Sequence, residues 1–446
     1  MEYRYIPYIK HSIKLAIPIV VAQAGTQLAS VADSIMVGRV GSIYIAAASM
    51  ASSFYLIPLL FGMGSTIAIT PLTGNANGRN DLSECKVLFS NAFFLQLANA
   101  VILTLLILAF GNIIPLLDPD TEKTALAHSF FNYLAISTFP LILFFVFRAY
   151  FDGFGFTAWG MVSVLGGNIV NIFLNWVFIY GNLGSPAMAL DGAGLATLIA
   201  RIFTFLLIVT LAFFVPKLRL LVEIPKWHKV QKQKILSFFK VGMHIGLQSS
   251  LEIASFSLIV LFCGWLGTAS AAAYQITLNI SGLCYLSTMG LSSAGTVIIS
   301  NYYGAGDIKS LKDAAKSVLM LAFAFTFFCS VIIIVFQSSI APLFINDLEV
   351  VTIATTLILM MGLFQIPDGL NVTMAGILRG VLDTKMPMVI NSLAFWVVMI
   401  PLAYILGFIF DFRVYGVMFG VCIGIVICAI AIFFRFRWAM KRLKAK

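Results

Sequence analysis

Long apolar stretches, each near or above the about 20 residues a helix needs to cross a bilayer, recur along this chain and leave it few ways to fold. They run near 12–37, 43–73, 86–112, 124–151, 158–181 and 189–215, and after a break near 237–264, 268–300, 309–339, 348–378, 387–411 and 414–440. Hydrocarbon offers backbone N–H and C=O groups no partner, so such stretches must satisfy themselves as helices. Composition agrees: the 446 residues are 61% hydrophobic and 10% charged, with mean hydropathy +1.00, against about 45–50% apolar and about 25% charged for soluble domains. The expected fold is an all-α polytopic membrane protein of twelve transmembrane helices.

Alternating the connections gathers nearly all of the 28 Lys and Arg residues on one side, beginning with Arg4, Lys10 and Lys14. Only Arg39, Lys123 and Arg413 face the other side, and Arg201 lies within a span. By the positive-inside rule both termini are expected in the cytoplasm, in a bacterial inner membrane. The formal charge of +10 is then mostly topological bias, with attraction to membrane lipid secondary and nucleic acid excluded as a partner. The basic and apolar amino terminus followed by Ala22-Gln23-Ala24 imitates a signal peptide, but cleavage there would remove half of the first span. The six cysteines have no CxxC spacing and no His neighbours, which argues against disulfide or zinc roles.

The chain is duplicated. An offset of 226 residues lays 18–81 on 244–307, placing Gly38-x-x-Gly41 on Gly264-x-x-Gly267, Thr70 on Thr296 and Asp81 on Asp307. Farther on, Gly153 and Thr157 meet Gly380 and Thr384 at an offset of 227. A repeat of six spans starts both copies on the same side, so the expectation is two six-helix lobes, 1–215 and 237–446, related by a pseudo-two-fold along the membrane normal. Residues 216–236, the one long polar connection, would join them as a cytoplasmic tether.

Three carboxylates, Asp33, Glu252 and Asp368, interrupt these apolar stretches. A charge near the bilayer centre costs about 2.5–3.5 kcal/mol on insertion scales, and such groups are by default functional. Asp368 follows Pro367, which frees the Leu363 carbonyl as an oxygen ligand; an acid beside a free carbonyl suits a hard cation. A buried carboxylate pair that holds a proton in exchange for Na⁺ or a cationic substrate would act as a coupling site. Arg201 would neutralise a buried acid, snorkel, or meet a substrate anion. Asn168, Asn171 and Asn175 fall on one helical face, as glue between helices or as cavity lining. No nucleophile-plus-base arrangement, zinc spacing or Walker loop is present, which disfavours an integral-membrane enzyme and ATP-driven transport.

Three segments resemble the multidrug and toxic compound extrusion (MATE) family, in its NorM-like branch. They are Asp33-Ser-Ile-Met-Val-Gly38-Arg-Val-Gly41; Glu252 with Gly264-Trp-Leu-Gly267 and Ala273-Tyr-Gln275; and Gln365-Ile-Pro-Asp368-Gly369 running on to Leu378-Arg379-Gly380-Val-Leu-Asp383-Thr384. The resemblance implies a monomeric secondary transporter that exports cationic or amphipathic drugs against Na⁺ or H⁺ by alternating access, with no other cofactor. It implies a cation or proton site at Glu252, Asp368 and Asn279, the two carboxylates being possible Na⁺ ligands. Phe364 stands where some members have Tyr. Gln275 and Gln365 would line or support that cavity, and Asn171, Asn175 and Thr197 would surround the amino-lobe acid Asp33. A lipid-linked oligosaccharide flippase of the same superfamily is the alternative, disfavoured by three acids against one mid-span Arg.

Overall fold

The structure, a computed structural model, describes residues 5–116 and 121–443; Arg4 lies outside them. Among the described residues there are helices and no strands. In chain order they are α1 Ile6–Gly38, α2 Ser42–Ile67, α3 Ile69–Gly78, α4 Leu82–Gly111, α5 Thr121–Gly153, α6 Thr157–Tyr180, α7 Ala189–Phe214, α8 Pro216–Arg219, α9 Lys232–Trp265, α10 Thr268–Ala305, α11 Ile308–Ile340, α12 Leu348–Gly380, α13 Lys385–Leu393, α14 Ile400–Tyr404 and α15 Arg413–Arg442. Among the described residues eleven helical stretches are long and apolar enough to cross a membrane. The 26-residue α2 makes the twelfth, since at about 1.5 Å per residue a helix of that length exceeds the about 30 Å of a hydrocarbon core. The protein is therefore a multi-pass, all-α membrane protein. The expected eleventh span is not one regular helix: widened π turns at Ala394–Met399 and Ile405–Ile409 flank α14, where Pro401 can offer no backbone N–H to the ladder.

The chain divides into two compact units. The first, Ile17–Gly246, holds most of α1, α2 to α8 and the start of α9. In its core Phe89, Phe147, Tyr150 and Phe151 pack with Phe238 of α9, and α2 meets α9 through glycine. A Cβ on Gly64 would lie 2.5 Å from the Gly246 Cα, and one on Gly242 2.3 Å from the Ser65 Cα. The second unit joins Leu247–Lys446 to the amino-terminal residues through Ala16. There Leu15 and Ala16 pack with Ile259, Ile298 and Phe395, and the Tyr8 hydroxyl donates to Ser310 Oγ at 3.1 Å.

The duplication is visible as repeated contacts. Thr70 Oγ1 donates to the Ala149 carbonyl at 3.0 Å, and Thr296 Oγ1 to the Gly376 carbonyl at 2.8 Å. A Cβ on Gly153 would stand 2.8 Å from Thr73 Cβ and 3.1 Å from Thr70 O; one on Gly380, 2.8 Å from Ile299 Cβ and 3.0 Å from Thr296 O. Asp81 and Asp307 cap α4 and α11 by accepting from Glu84 N and Ser310 N, each at 2.9 Å. Each member of these pairs occupies the same register position of its copy, so the duplication preserved helix spacing as well as sequence.

Residues 216–236 are fastened to the first unit. Asn91 Nδ2 donates to the Lys229 carbonyl at 3.0 Å while its Oδ1 accepts from Gln231 N at 2.7 Å. The Tyr150 hydroxyl donates to Leu221 O at 2.8 Å, and Trp227 meets Phe94 edge-on at 5.0 Å. Lys226 and Lys229 both pair with Glu223, and their hydrogen bonds hold its carboxyl down to about 2. A lowered carboxyl value makes any stabilising effect of this exposed cluster one that is present above the ordinary carboxylate range and lost only as the pH falls toward 2.

Two outcomes follow for the fold. Gly242→Val, which drives a side chain into the Ser65 backbone, should destabilise the first unit by about 1–3 kcal/mol, whereas Gly264→Ala, with nothing within 4 Å of the new Cβ, should leave it within about 0.5 kcal/mol; thermal unfolding followed by size-exclusion chromatography compares them. Asn91→Leu should release residues 226–231, read as faster amide hydrogen exchange there, with exchange in α12 unchanged.

Candidate functional site

Each unit has a cavity with ionisable side chains in its wall, and the two occupy equivalent places in the duplicated sequence. In the first unit α1 contributes Thr26, Gln27, Ser30 and Ser34, and α2 contributes Ser52, Tyr55, Leu56 and Leu59. At an offset of 226 the second cavity is lined by Glu252, Ile253, Phe256 and Val260 of α9, and by Leu278, Ser281, Gly282 and Tyr285 of α10. The same positions have thus been given different chemistry.

The first cavity, about 590 Å³, is polar on several walls. The lining residues of α1 and Asp33 follow helical spacing, so one face of that helix carries them all. Asp33 Oδ1 accepts from Asn175 Nδ2 at 2.5 Å, and the same amide lies 3.4 Å from Asn171 Oδ1. Asn168 and Asn171 line the cavity, with Asn168 Nδ2 buried and without a partner. Thr197 also lines it but turns its hydroxyl to its own helix, donating to Ala193 O at 2.9 Å. Gly167 is what allows α6 and α7 to approach behind these residues: a Cβ there would fall 1.9 Å from Thr204 Oγ1.

Arg201 belongs to the same cavity. Its Nη1 donates to the Tyr55 hydroxyl and to Ser137 Oγ, both at 2.7 Å, and its guanidinium lies 5.5 Å from the centre of the Tyr55 ring. Tyr55 is itself bonded to Thr138 Oγ1 at 3.0 Å. Among the described residues no ion pair joins Arg201 to Asp33, although both line one space.

The second cavity, about 320 Å³, is mostly apolar, with Glu252 from α9 and Asp368 from α12 in its wall. Phe364 sits one turn before Asp368 and is 6% exposed, with Met361, Met418 and Val421 nearby in the lining. The π turn before α14 reaches this region, because Trp396 Nε1 donates to the Leu251 carbonyl at 3.1 Å beside Glu252. The structure therefore brings together Glu252, Asp368 and Phe364. Gln275 and Asn279 lie on an exposed face of α10, bonded to each other at 3.4 Å, and are not in this lining. Gln365 is fully buried outside the lining, and neither end of its amide has a partner.

Tyr285 and Ser281 line the cavity without having been singled out from sequence. The repeat carried the signal, since Ser281 overlies Tyr55 and Tyr285 overlies Leu59. Arg379, which the sequence singles out only within the Leu378-Arg379-Gly380 segment and without a role, is close enough for its charge to act on both Glu252 and Tyr285, and its Nε is buried without a partner. Behind them, Cys428 Sγ lies 3.1 Å from Asn391 Oδ1 and 3.6 Å from Asn371 Oδ1. The cavities differ in formal charge: one acid and one base in the first, two acids with one nearby base in the second. Like charges in one apolar wall favour a bound cation or proton between them.

Known proteins match this chain over nearly its whole length. Multidrug resistance protein MdtK of Yersinia pseudotuberculosis serotype O:1b (strain IP 31758) is 31% identical over 453 residues, covering 98% of this chain and 97% of that one. Multidrug resistance protein NorM of Aliivibrio fischeri is 29% identical over 445 residues, covering 98% and 96%. Among solved structures, the eukaryotic MATE transporter AtDTX14 superposes with a TM-score of 0.87 at 20% identity, covering 99% of this chain and 100% of that one. A MATE structure in a bent conformation gives 0.89 at 20% identity, covering 99% and 98%. The MatE family model matches twice, at residues 18–177 and 245–405. Those two matches begin 227 residues apart, which is the spacing of the internal repeat, and they take in most of the residues that line both cavities: the chain belongs to the MatE family.

Proposed function

We propose that this protein is a secondary multidrug efflux transporter, which exchanges cationic or amphipathic drugs for Na⁺ or H⁺ by alternating access. The observation that carries this reading is the pair Glu252 and Asp368, two acids from separate helices in the wall of one small, largely apolar cavity. A paired site of that kind takes up a cation or a proton and changes its net charge when it does. The larger cavity of the first unit has the volume of a drug-sized ligand site, which is about 300–1,000 Å³. Coupling needs only that the cation and the drug prefer different states of the transporter. The names of the relatives, multidrug resistance proteins, support the substrate class.

In this reading the two units, Ile17–Gly246 and Leu247–Lys446 with the amino-terminal residues through Ala16, move against each other in a monomer whose two termini face the cytoplasm of a bacterial inner membrane. Na⁺ or H⁺ is cargo, with Glu252 and Asp368 as its first ligands and Phe364 offering a π face beside them.

The test is proteoliposome efflux of a fluorescent cation under separately imposed Na⁺ and pH gradients. Glu252→Gln and Asp368→Asn should each cut gradient-driven efflux by about tenfold or more, within the usual range of a coupling free energy. Asp33→Asn should lower efflux through weaker drug binding while leaving the ion preference unchanged. Full activity in all three variants, or efflux indifferent to both gradients, would remove the reading.

A further inference from the structure

Two cysteines of the second unit stand apart from the other four. Cys85, Cys263 and Cys428 are buried, and Cys422 Sγ donates to the Met360 carbonyl at 3.9 Å. Cys284 of α10 and Cys329 of α11 are only partly buried, and their thiols hydrogen-bond to each other. Packing explains why they meet. α11 follows α10 after the short turn Gly306-Asp307, so the two helices run antiparallel and pack together. Both lean on Gly369, the residue after Asp368: a Cβ there would stand 2.2 Å from Thr326 Cγ2 and 3.3 Å from Thr288 Cγ2. Cys284 lies one turn before Thr288 and Cys329 one turn after Thr326, so each thiol shares the helix face of its threonine. In antiparallel helices those two steps run the same way and bring both sulfurs to one level. Asp368 is near enough for its charge to act on Cys284.

The duplication did not supply this pair, since at the offset of 226 Cys284 overlies Pro58, which carries no thiol. Neither sulfur is in a disulfide. Among the described residues no third His, Cys, Asp or Glu completes a metal cluster with them, and a closed zinc site takes about four ligands. Two adjacent thiols instead fit a centre that accepts two sulfurs, such as trivalent arsenic carrying one organic group. Once the first sulfur has bonded, the second attacks within the same molecule, at an effective concentration that a free monothiol does not match.

We propose that Cys284 and Cys329 form a dithiol site for monosubstituted trivalent arsenicals, and that the bridging arsenic staples α10 to α11 beside the acid pair. The step is redox-neutral. With an arsine oxide two S–H bonds break and two S–As bonds form, while the arsenic–oxygen bond breaks and the oxygen leaves with both protons as water. A partly open thiol pair within a span suits an apolar reagent that arrives through hydrocarbon, and the three buried cysteines are closed to it.

The probe is phenylarsine oxide, applied to the purified full-length protein and followed by an excess of a monothiol. Intact-mass spectrometry should show one phenylarsenic group per chain that survives the monothiol and comes off with 2,3-dimercaptopropanol. Cys284→Ala and Cys329→Ala should each lose that resistant adduct, whereas Cys422→Ala should keep it. If an alanine variant aggregates on size-exclusion chromatography, Cys284→Ser and Cys329→Ser decide by the same comparison. No resistant adduct in the wild type, or one that persists without Cys284 or without Cys329, would overturn the site and leave the thiols as a packing contact. The staple is read by thermal unfolding, because a cross-link between helices constrains the unfolded chain. Treatment should raise the unfolding temperature of the wild type and leave that of Cys329→Ala unchanged. A wild type that carries the adduct and unfolds at its untreated temperature would overturn the stapling.

Discussion

The cost of placing charge in a hydrocarbon layer organises this protein. Backbone groups meet that cost by forming helices, and twelve long helices leave little surface on which an acid could reach water. The ionisable side chains that remain inside the spans must therefore share enclosed spaces with other polar groups. Asp33 does so with Asn175 and Asn171, and Glu252 and Asp368 do so by lining one cavity. The close approach at Gly167 and the π turn that brings Trp396 to the Leu251 carbonyl help to shape the walls around those few groups.

Duplication explains why there are two such spaces, and divergence explains why they differ. Thr26 and Glu252 hold the same place in the repeat, as do Tyr55 and Ser281. The two cavities thus carry different groups on helices that pack alike, one with an acid and a base in its wall and the other, smaller and more apolar, with two acids. Thr70 and Thr296, with their matching carbonyl partners, show that packing directly. A transporter built in this way can let one cavity respond to drug and the other to ion.

Much of this was legible in the residues. Membrane class followed from the length of the apolar stretches, and the repeat from coincident glycines at a fixed offset. The three acids stood out because a charge inside an apolar run is a local signal. What could not be read was rotational phase. Whether Asn279 or Tyr285 faces the Glu252 cavity depends on how α10 is turned against its neighbours, and a hydrophobic helix carries little amphipathic pattern to reveal it. The structure puts Tyr285 in the wall and Asn279 on an exposed face. The fastening of residues 216–236 was hidden for a similar reason, because it depends on Asn91, a residue far away in sequence. Arg379 shows a further limit, since a long side chain near a helix end can reach back toward a buried acid that topology alone would not connect to it.

The central claim is that the acid pair of the second unit serves the ion while the first cavity serves the drug. It is tested most directly by measuring drug affinity of the purified protein across a range of Na⁺ concentration and pH, without any membrane gradient, in the wild type and in the double variant Glu252→Gln with Asp368→Asn. The account expects the double variant to bind drug with about the wild-type affinity but with no remaining dependence on Na⁺ or pH through that pair. Loss of drug binding with the ion dependence intact would contradict it.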